Sequence, residues 1–226
     1  MAEQTAREIE RNTMVDCQVR PTQVSDVRVT GAMRHLPREA FAPPGANAYA
    51  DADIALGAGR YFLAPALTAR LAQLTFSANP ASVRLHVLVV GAGSGYLAAI
   101  LAQAGAAVVA LEEETRLDTG ALKLHAPEVE AVTGKLAAGW PAGGPYDVIV
   151  IEGAVPEIPQ LYAAQLAPGG RVVAVLADDG QDGIGRVVLA APAALGAGYG
   201  RVPVFDCTAR LLPQFRPAPA FHFSGI

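Results

Sequence analysis

The sequence predicts an α/β chain: a doubly wound, mostly parallel sheet carrying an N-terminal helical cap. Two observations carry that prediction. The first is Val87-Leu88-Val89-Val90, an apolar run without polar alternation, followed by Gly91-Ala92-Gly93-Ser94-Gly95-Tyr96 and then by Leu97, Ile100, Leu101 and Ala104 at helical spacing. That order reads as a strand buried on both faces, a tight glycine turn and a helix. The second is that strand-like and helical stretches go on alternating as far as Phe205. A chain of 226 residues with 52% hydrophobic content suits one large domain. Within it we distinguish a cap over residues 1–80, an α/β core over 81–212 and a proline-rich tail over 213–226.

A first helix covers Thr5 to Val19 and stops at Arg20-Pro21, because the residue before proline avoids helical geometry. A second starts at the capping pair Ser25-Asp26 and runs to Pro37. The stretch from Ala48 to Gly59 is punctuated by glycine and reads as irregular. Pro65 opens a third helix with Leu67, Leu71 and Leu74 on one face, ending before Asn79-Pro80. Beyond Val87 come a second strand at Ala106–Leu111, a helix through Leu117–Leu124 and an extended segment at Val129–Val132. Tyr146–Ile151 is a strand, Ile158–Leu166 a helix, Pro168-Gly169-Gly170 a turn and Arg171–Leu176 a strand. Residues 186–189 and 201–205 read as a final pair.

Composition narrows the function classes. A net charge of −4 leaves no basic footprint for nucleic acid or an anionic membrane surface. No apolar run approaches the roughly 20 residues of a membrane span. The two cysteines, Cys17 and Cys207, do not form a disulfide framework, and with a charged N-terminus they lead us to expect a cytoplasmic protein. His35, His86, His125 and His222 show no ligand spacing, so no metal is expected.

The glycine turn and the acids after the second strand hold the chemistry. Without β-carbons, a turn can press its backbone against a ligand, and the following helix offers free N–H groups. Glycine turns also serve purely structural ends, so the turn alone decides little. Glu112-Glu113-Glu114 follow the second strand, and Glu112 lies 21 residues after Gly91. A carboxylate there is placed to accept from the two hydroxyls of a ribose. Glu114 reads as a solvated helix-start residue. The Gly-x-Gly-x-Gly spacing departs from the dinucleotide fingerprint, and no Lys-Ser/Thr follows to make a P-loop.

The form Val90-Gly91-Ala92-Gly93-Ser94-Gly95-Tyr96 is similar to the cofactor loop of class I S-adenosylmethionine-dependent methyltransferases. More of the chain, from about residue 14 to 176, resembles the protein-L-isoaspartate O-methyltransferases. The resemblance rests on Leu36-Pro37-Arg38-Glu39-Ala40-Phe41, on Ala48-Tyr49-Ala50-Asp51, and on Gly57-Ala58-Gly59 ahead of the cofactor loop. It continues through Tyr146-Asp147-Val148-Ile149-Val150, Ala154-Val155-Pro156-Glu157-Ile158-Pro159 and Leu166-Ala167-Pro168-Gly169-Gly170. It implies methylation of the carboxylate of isoaspartyl residues in damaged proteins, with S-adenosylmethionine as cofactor. It also implies cofactor contacts at Gly91, Ala92, Gly93, Ser94, Gly95, Tyr96, Glu112, Glu113, Gly134 and Lys135.

Two stretches depart from the family. Its substrate loop has a Gln-Thr-Ile-Ser-x-Pro pattern whose hydroxyls sit at the reacting carboxylate, where this chain has Arg60-Tyr61-Phe62-Leu63-Ala64-Pro65. Leu63 can donate nothing; either Tyr61 and Arg60 substitute, as a hydroxyl and a cation for an acceptor carboxylate, or the loop has drifted from that task. The family's Gly-Asp-Gly is here Gly134-Lys135-Leu136. The expected function is therefore isoaspartyl methyl transfer, weakened or altered. The rival readings are a non-catalytic cofactor-binding or regulatory protein and a methyltransferase for another acceptor.

Overall fold

The computed structural model describes residues 2–77, 84–113, 119–177, 182–194 and 197–216. Glu114, His222, the boundary at residues 80 and 81, and the tail beyond residue 216 lie outside those residues.

A seven-stranded sheet forms the centre: β3 (His86–Val90), β4 (Ala107–Glu112), β5 (Glu130–Thr133), β6 (Tyr146–Val155), β7 (Leu166–Ala177), β8 (Gly183–Pro192) and β9 (Tyr199–Ala209), in spatial order β5-β4-β3-β6-β7-β8-β9. The first five in that order run parallel, and β8 and β9 close the far edge as antiparallel strands. The continuous apolar runs of β3, β4 and β6 are thereby buried on both faces. The chain leaves β3 toward β4 and β5 on one side and returns to β6 on the other. That reversal opens a crevice beyond the carboxyl ends of β3 and β6.

One face of the sheet is covered by true helices: α1 (Ala2–Met14), α2 (Val27–His35), α4 (Pro65–Ser77), α5 (Tyr96–Gln103) and α6 (Thr119–His125). A four-residue turn, α3 (Arg38–Phe41), comes soon after α2 in the chain. Asp26 caps α2, its carboxylate accepting from the Arg28 N–H. The first helix expected to Val19 instead ends as α at Met14 and continues through a π turn (Val15–Val19) and a 3-10 turn (Arg20–Thr22). Among the described residues, the other face carries 3-10 turns, at Leu136–Ala138, Pro141–Gly143, Pro213–Phe215 and Gln160–Gln165, packed through Leu136, Trp140, Phe215 and Tyr162. The helix expected over Ile158–Leu166 is the last of these, only six residues long. The Pro168-Gly169-Gly170 turn is absorbed into the start of β7.

The stretch read as irregular before Pro65 holds a hairpin, β1 (Ile54–Gly57) and β2 (Arg60–Phe62). Gly57, Ala58 and Gly59 all take positive φ (92°, 49° and 74°) to make its turn. Burial alternates along β2, so Arg60 and Phe62 point inward while Tyr61 points out.

Candidate active site

The site is built where β3, β4 and β6 end. Gly91, Gly93 and Gly95 adopt left-handed backbone, with φ of 75°, 53° and 82°. A β-carbon on Gly93 would meet Leu56 Cδ1 at 3.3 Å and Arg60 Nη2 at 3.7 Å, so this glycine faces the cleft beneath the hairpin. A β-carbon on Gly95 would stand 2.6 Å from Leu122. Gly95 is thus required by the packing of α6 against the start of α5. Ser94 is buried, with Oγ 3.4 Å from the Tyr96 N–H. Tyr96 is buried too, its ring between those of Phe41 and Phe62. Burial pushes its phenol up to about 12.

Glu112 ends β4 and is 0% exposed. Its Oε2 accepts the Gly93 N–H at 2.8 Å, and its Oε1 accepts the Glu113 N–H at 2.9 Å. The Arg60 guanidinium takes the rest: Nη1 donates to Glu112 Oε1 at 2.7 Å, and Nη2 donates to the Gly91 carbonyl at 2.7 Å. Arg60 therefore lies in the crevice against the glycine turn, its two terminal nitrogens already committed, and not free to meet an acceptor carboxylate. Tyr61, on the opposite face of β2, has the Arg210 guanidinium 4.5 Å over its ring. Strand alternation sends the two side chains to opposite faces of β2, although both residues border the gap beside Glu152. Leu63 is 2% exposed and belongs to the hydrophobic core, while its carbonyl accepts from Arg38 Nη2 at 2.7 Å.

Glu113 is tied down as well, its Oε1 accepting from the Leu136 N–H. Gly134 is half-buried against Trp140, and Lys135 is exposed. A cavity of about 270 Å³ remains between Leu56, Gly57, Ala58, Arg60, Gly93 and Glu112. It borders the carboxylate and the glycine turn, which are the donors and acceptors that a ribosyl ligand needs. A nucleoside ligand fits this donor set once the Arg60 guanidinium leaves Glu112 Oε1.

The Pro-Arg-Glu-x-Phe stretch proves to be the support for this site. Arg38 is fully buried; Nε donates to the Ala48 carbonyl and Nη2 to the Leu63 carbonyl, both at 2.7 Å. Its guanidinium stacks 3.8 Å from the Phe62 ring centre. Burial holds its pKa below the usual arginine value. The Tyr49 hydroxyl donates to the Glu39 carboxylate, and burial first, then that bond, raises the phenol far above its ordinary value.

One residue of the site is missed by sequence reasoning. Glu152 lies within β6 where its pairing with β7 is interrupted, 4% exposed, and its Oε2 has no hydrogen-bond partner. The available signal is an acid ending the apolar run Val148-Ile149-Val150-Ile151, at the same level as the glycine turn. Among the described residues, no three His, Cys, Asp or Glu side chains gather as a metal site, and no helix is long and apolar enough to cross a membrane.

Comparison with known proteins gives the site its context. The family model described as protein-L-isoaspartate(D-aspartate) O-methyltransferase matches residues 9–190. The chain belongs to this family. A protein-L-isoaspartate O-methyltransferase of Methanoculleus marisnigri is 37% identical over 173 residues, 73% of this chain and 76% of its own length. That of Methanoregula boonei is 38% identical over 175 residues, 74% of this chain and 78% of its own. Among solved structures, a Plasmodium falciparum protein assigned to the same methyltransferases superposes with a TM-score of 0.71. It was determined in complex with S-adenosyl-L-homocysteine and shares 18% identity, covering 90% of this chain and 98% of its own. At that identity the likeness concerns the fold.

Proposed function

We propose that this chain is an S-adenosylmethionine-dependent methyltransferase acting on the carboxylate of isoaspartyl residues in proteins. The observation that carries the reading is the Glu112 carboxylate held by the Gly93 N–H at the carboxyl ends of β3 and β4, in a chain of this family. Gly91, Gly93 and Glu112 would hold the cofactor, with Leu56 and the hairpin above it. When bound, S-adenosylmethionine supplies a methyl group on a sulfonium. The acceptor is a carboxylate, ionised at neutral pH with an ordinary pKa of roughly 4. The chain therefore needs no general base. Its residues have to bind, orient and exclude water, and orientation of this kind is worth up to roughly 7–11 kcal/mol. We place the protein in the cytoplasm, on its two free thiols, Cys17 and Cys207.

A second reading, a chain that keeps the fold without turnover, draws on the Arg60–Glu112 pair that fills the carboxylate. Two measurements separate the readings. Calorimetry with S-adenosylhomocysteine should show binding, and labelled methyl groups should pass to an isoaspartyl peptide but not to its aspartyl counterpart. Transfer to the isoaspartyl peptide would remove the second reading, and binding without transfer would favour it.

A further inference from the structure

The register of the sheet puts Glu152 at a telling position. Val90 pairs with Ile151 across the β3–β6 ladder, so Gly91 and Glu152 are the next residues on each strand, side by side at the crevice. Here β6 also breaks its pairing with β7, between Val150 and Ala154, and Gly153 takes φ 142°. Such bulges re-aim side chains at sites. The segment after β9 fills the gap: the Ala154 N–H donates to the Arg210 carbonyl and the Leu212 N–H to the Ala154 carbonyl. Glu152 consequently lines a narrow cleft, too tight for a water molecule, with Arg60, Tyr61, Leu63, Arg210 and Leu212.

We propose that Glu152 is an acceptor-binding residue, its protonated carboxyl donating a hydrogen bond to one oxygen of the acceptor carboxylate while the other oxygen attacks. This rests on the function proposed above and names the group that stands in for the donor Leu63 lacks. Two features of the geometry support it. Oε2 is buried and unpartnered, and a buried polar atom without a partner is costly enough to need a reason. Leu63 and Leu212 offer no competing polar group.

The charged groups facing Glu152 are Arg60 from β2, Glu112 from β4 and Arg38 from α3, with Arg210 beside the cleft. Burial is the largest influence, the Glu112 charge adds to it, and the two arginines oppose it. The balance lifts the carboxyl to about 8. At neutral pH the group holds its proton, so it attracts an anionic acceptor where an ionised carboxylate would repel one. No proton leaves Glu152 during transfer.

The test uses the full chain, labelled S-adenosylmethionine and an isoaspartyl peptide, with kcat/KM followed from about pH 6 to about pH 10. The natural protein should lose activity as pH rises through about 8. Glu152→Gln keeps an N–H donor that does not ionise; it should retain kcat/KM within about threefold at pH 7 and flatten the alkaline limb. Glu152→Leu should lose about tenfold or more at pH 7 while still binding S-adenosylhomocysteine by calorimetry, which shows that it folds. A natural profile flat through the alkaline range would overturn the proposal and leave the proposed function standing. So would a Gln variant as inactive as the Leu variant, the signature of a base, or a Leu variant as active as the natural chain. No transfer by the natural chain at any pH would overturn both.

Discussion

Arg38 shows how a single side chain sets up a distant loop. Its guanidinium satisfies two backbone carbonyls, of Ala48 and Leu63, that no secondary structure reaches. Truncation to Ala would leave the Ala48 carbonyl without a donor and the Leu63 carbonyl with only the long bond from the Thr68 hydroxyl, at about 1–3 kcal/mol each. Urea unfolding of Arg38→Ala should therefore show a loss of about 3 kcal/mol, and Arg38→Lys should recover only part, since an ammonium lacks the planar fork. Glu152 makes a prediction of opposite sign. Its carboxyl has a higher pKa in the folded chain, about 8, than the ordinary 4.5. Between those values the folded state binds the extra proton, so stability falls as pH rises from 4.5 to 8. Glu152→Gln has no such dependence. It should be more stable than the natural chain at pH 8, with the gain shrinking by up to about 1.4 kcal/mol per pH unit on the way down. Chemical denaturation of both at several pH values would show this, and a constant gap would refute it.

At the scale of elements, the β1–β2 hairpin is the part that the sequence discloses least. The apolar runs of β3, β4 and β6 are legible because strands buried on both faces have little latitude in composition. The hairpin has only four and three residues in its strands, and its Gly57-Ala58-Gly59 turn reads as loop punctuation. Sequence alone accordingly sets Arg60 beside Tyr61 in an acceptor loop, without the alternation that sends them to opposite faces. Glu152 escapes because the apolar run ends at Ile151, one residue short of the crevice. The 3-10 turn at Gln160–Gln165 shares the apolar spacing of a short helix, and spacing alone does not separate the two. What the hairpin does is also testable. The buried Arg60–Glu112 pair ties the hairpin to the end of β4, and removing one partner of such a pair costs about 3–5 kcal/mol. Arg60→Ala should thus unfold more easily than the natural chain without ligand, yet bind S-adenosylhomocysteine more tightly, because Glu112 is released for hydroxyls. Weaker binding would make Arg60 part of the ligand's own contacts.

Over the whole molecule, the crevice is closed by two segments far apart in the chain. The hairpin comes from the first third, and Arg210 to Leu212 from the end of the described residues. Leu212 lies close over Gly91 and Gly153, where β-carbons would meet it at 3.2 and 2.6 Å. The two covers are joined by the Arg210–Asp53 ion pair at 2.8 Å, and Asp53 also accepts the Ala64 N–H at the start of α4. The Asp53 side chain is 7% exposed, so the pair is screened less than one at the surface. The hydrogen bond to Asp53 is the largest influence on Arg210 and prevails over burial, raising its pKa. Asp53, just ahead of the hairpin, thus links that cover to the Arg210–Leu212 segment. Asp53→Ala should uncouple the covers. Hydrogen exchange should then quicken at Ile54–Phe62 and at the Leu212 amide, while amides in β3 and β4 keep their protection, because the sheet does not depend on this pair. If exchange rose equally in β3, Asp53 would be holding up the fold as a whole, and the two segments would not form a separable cover over the cleft.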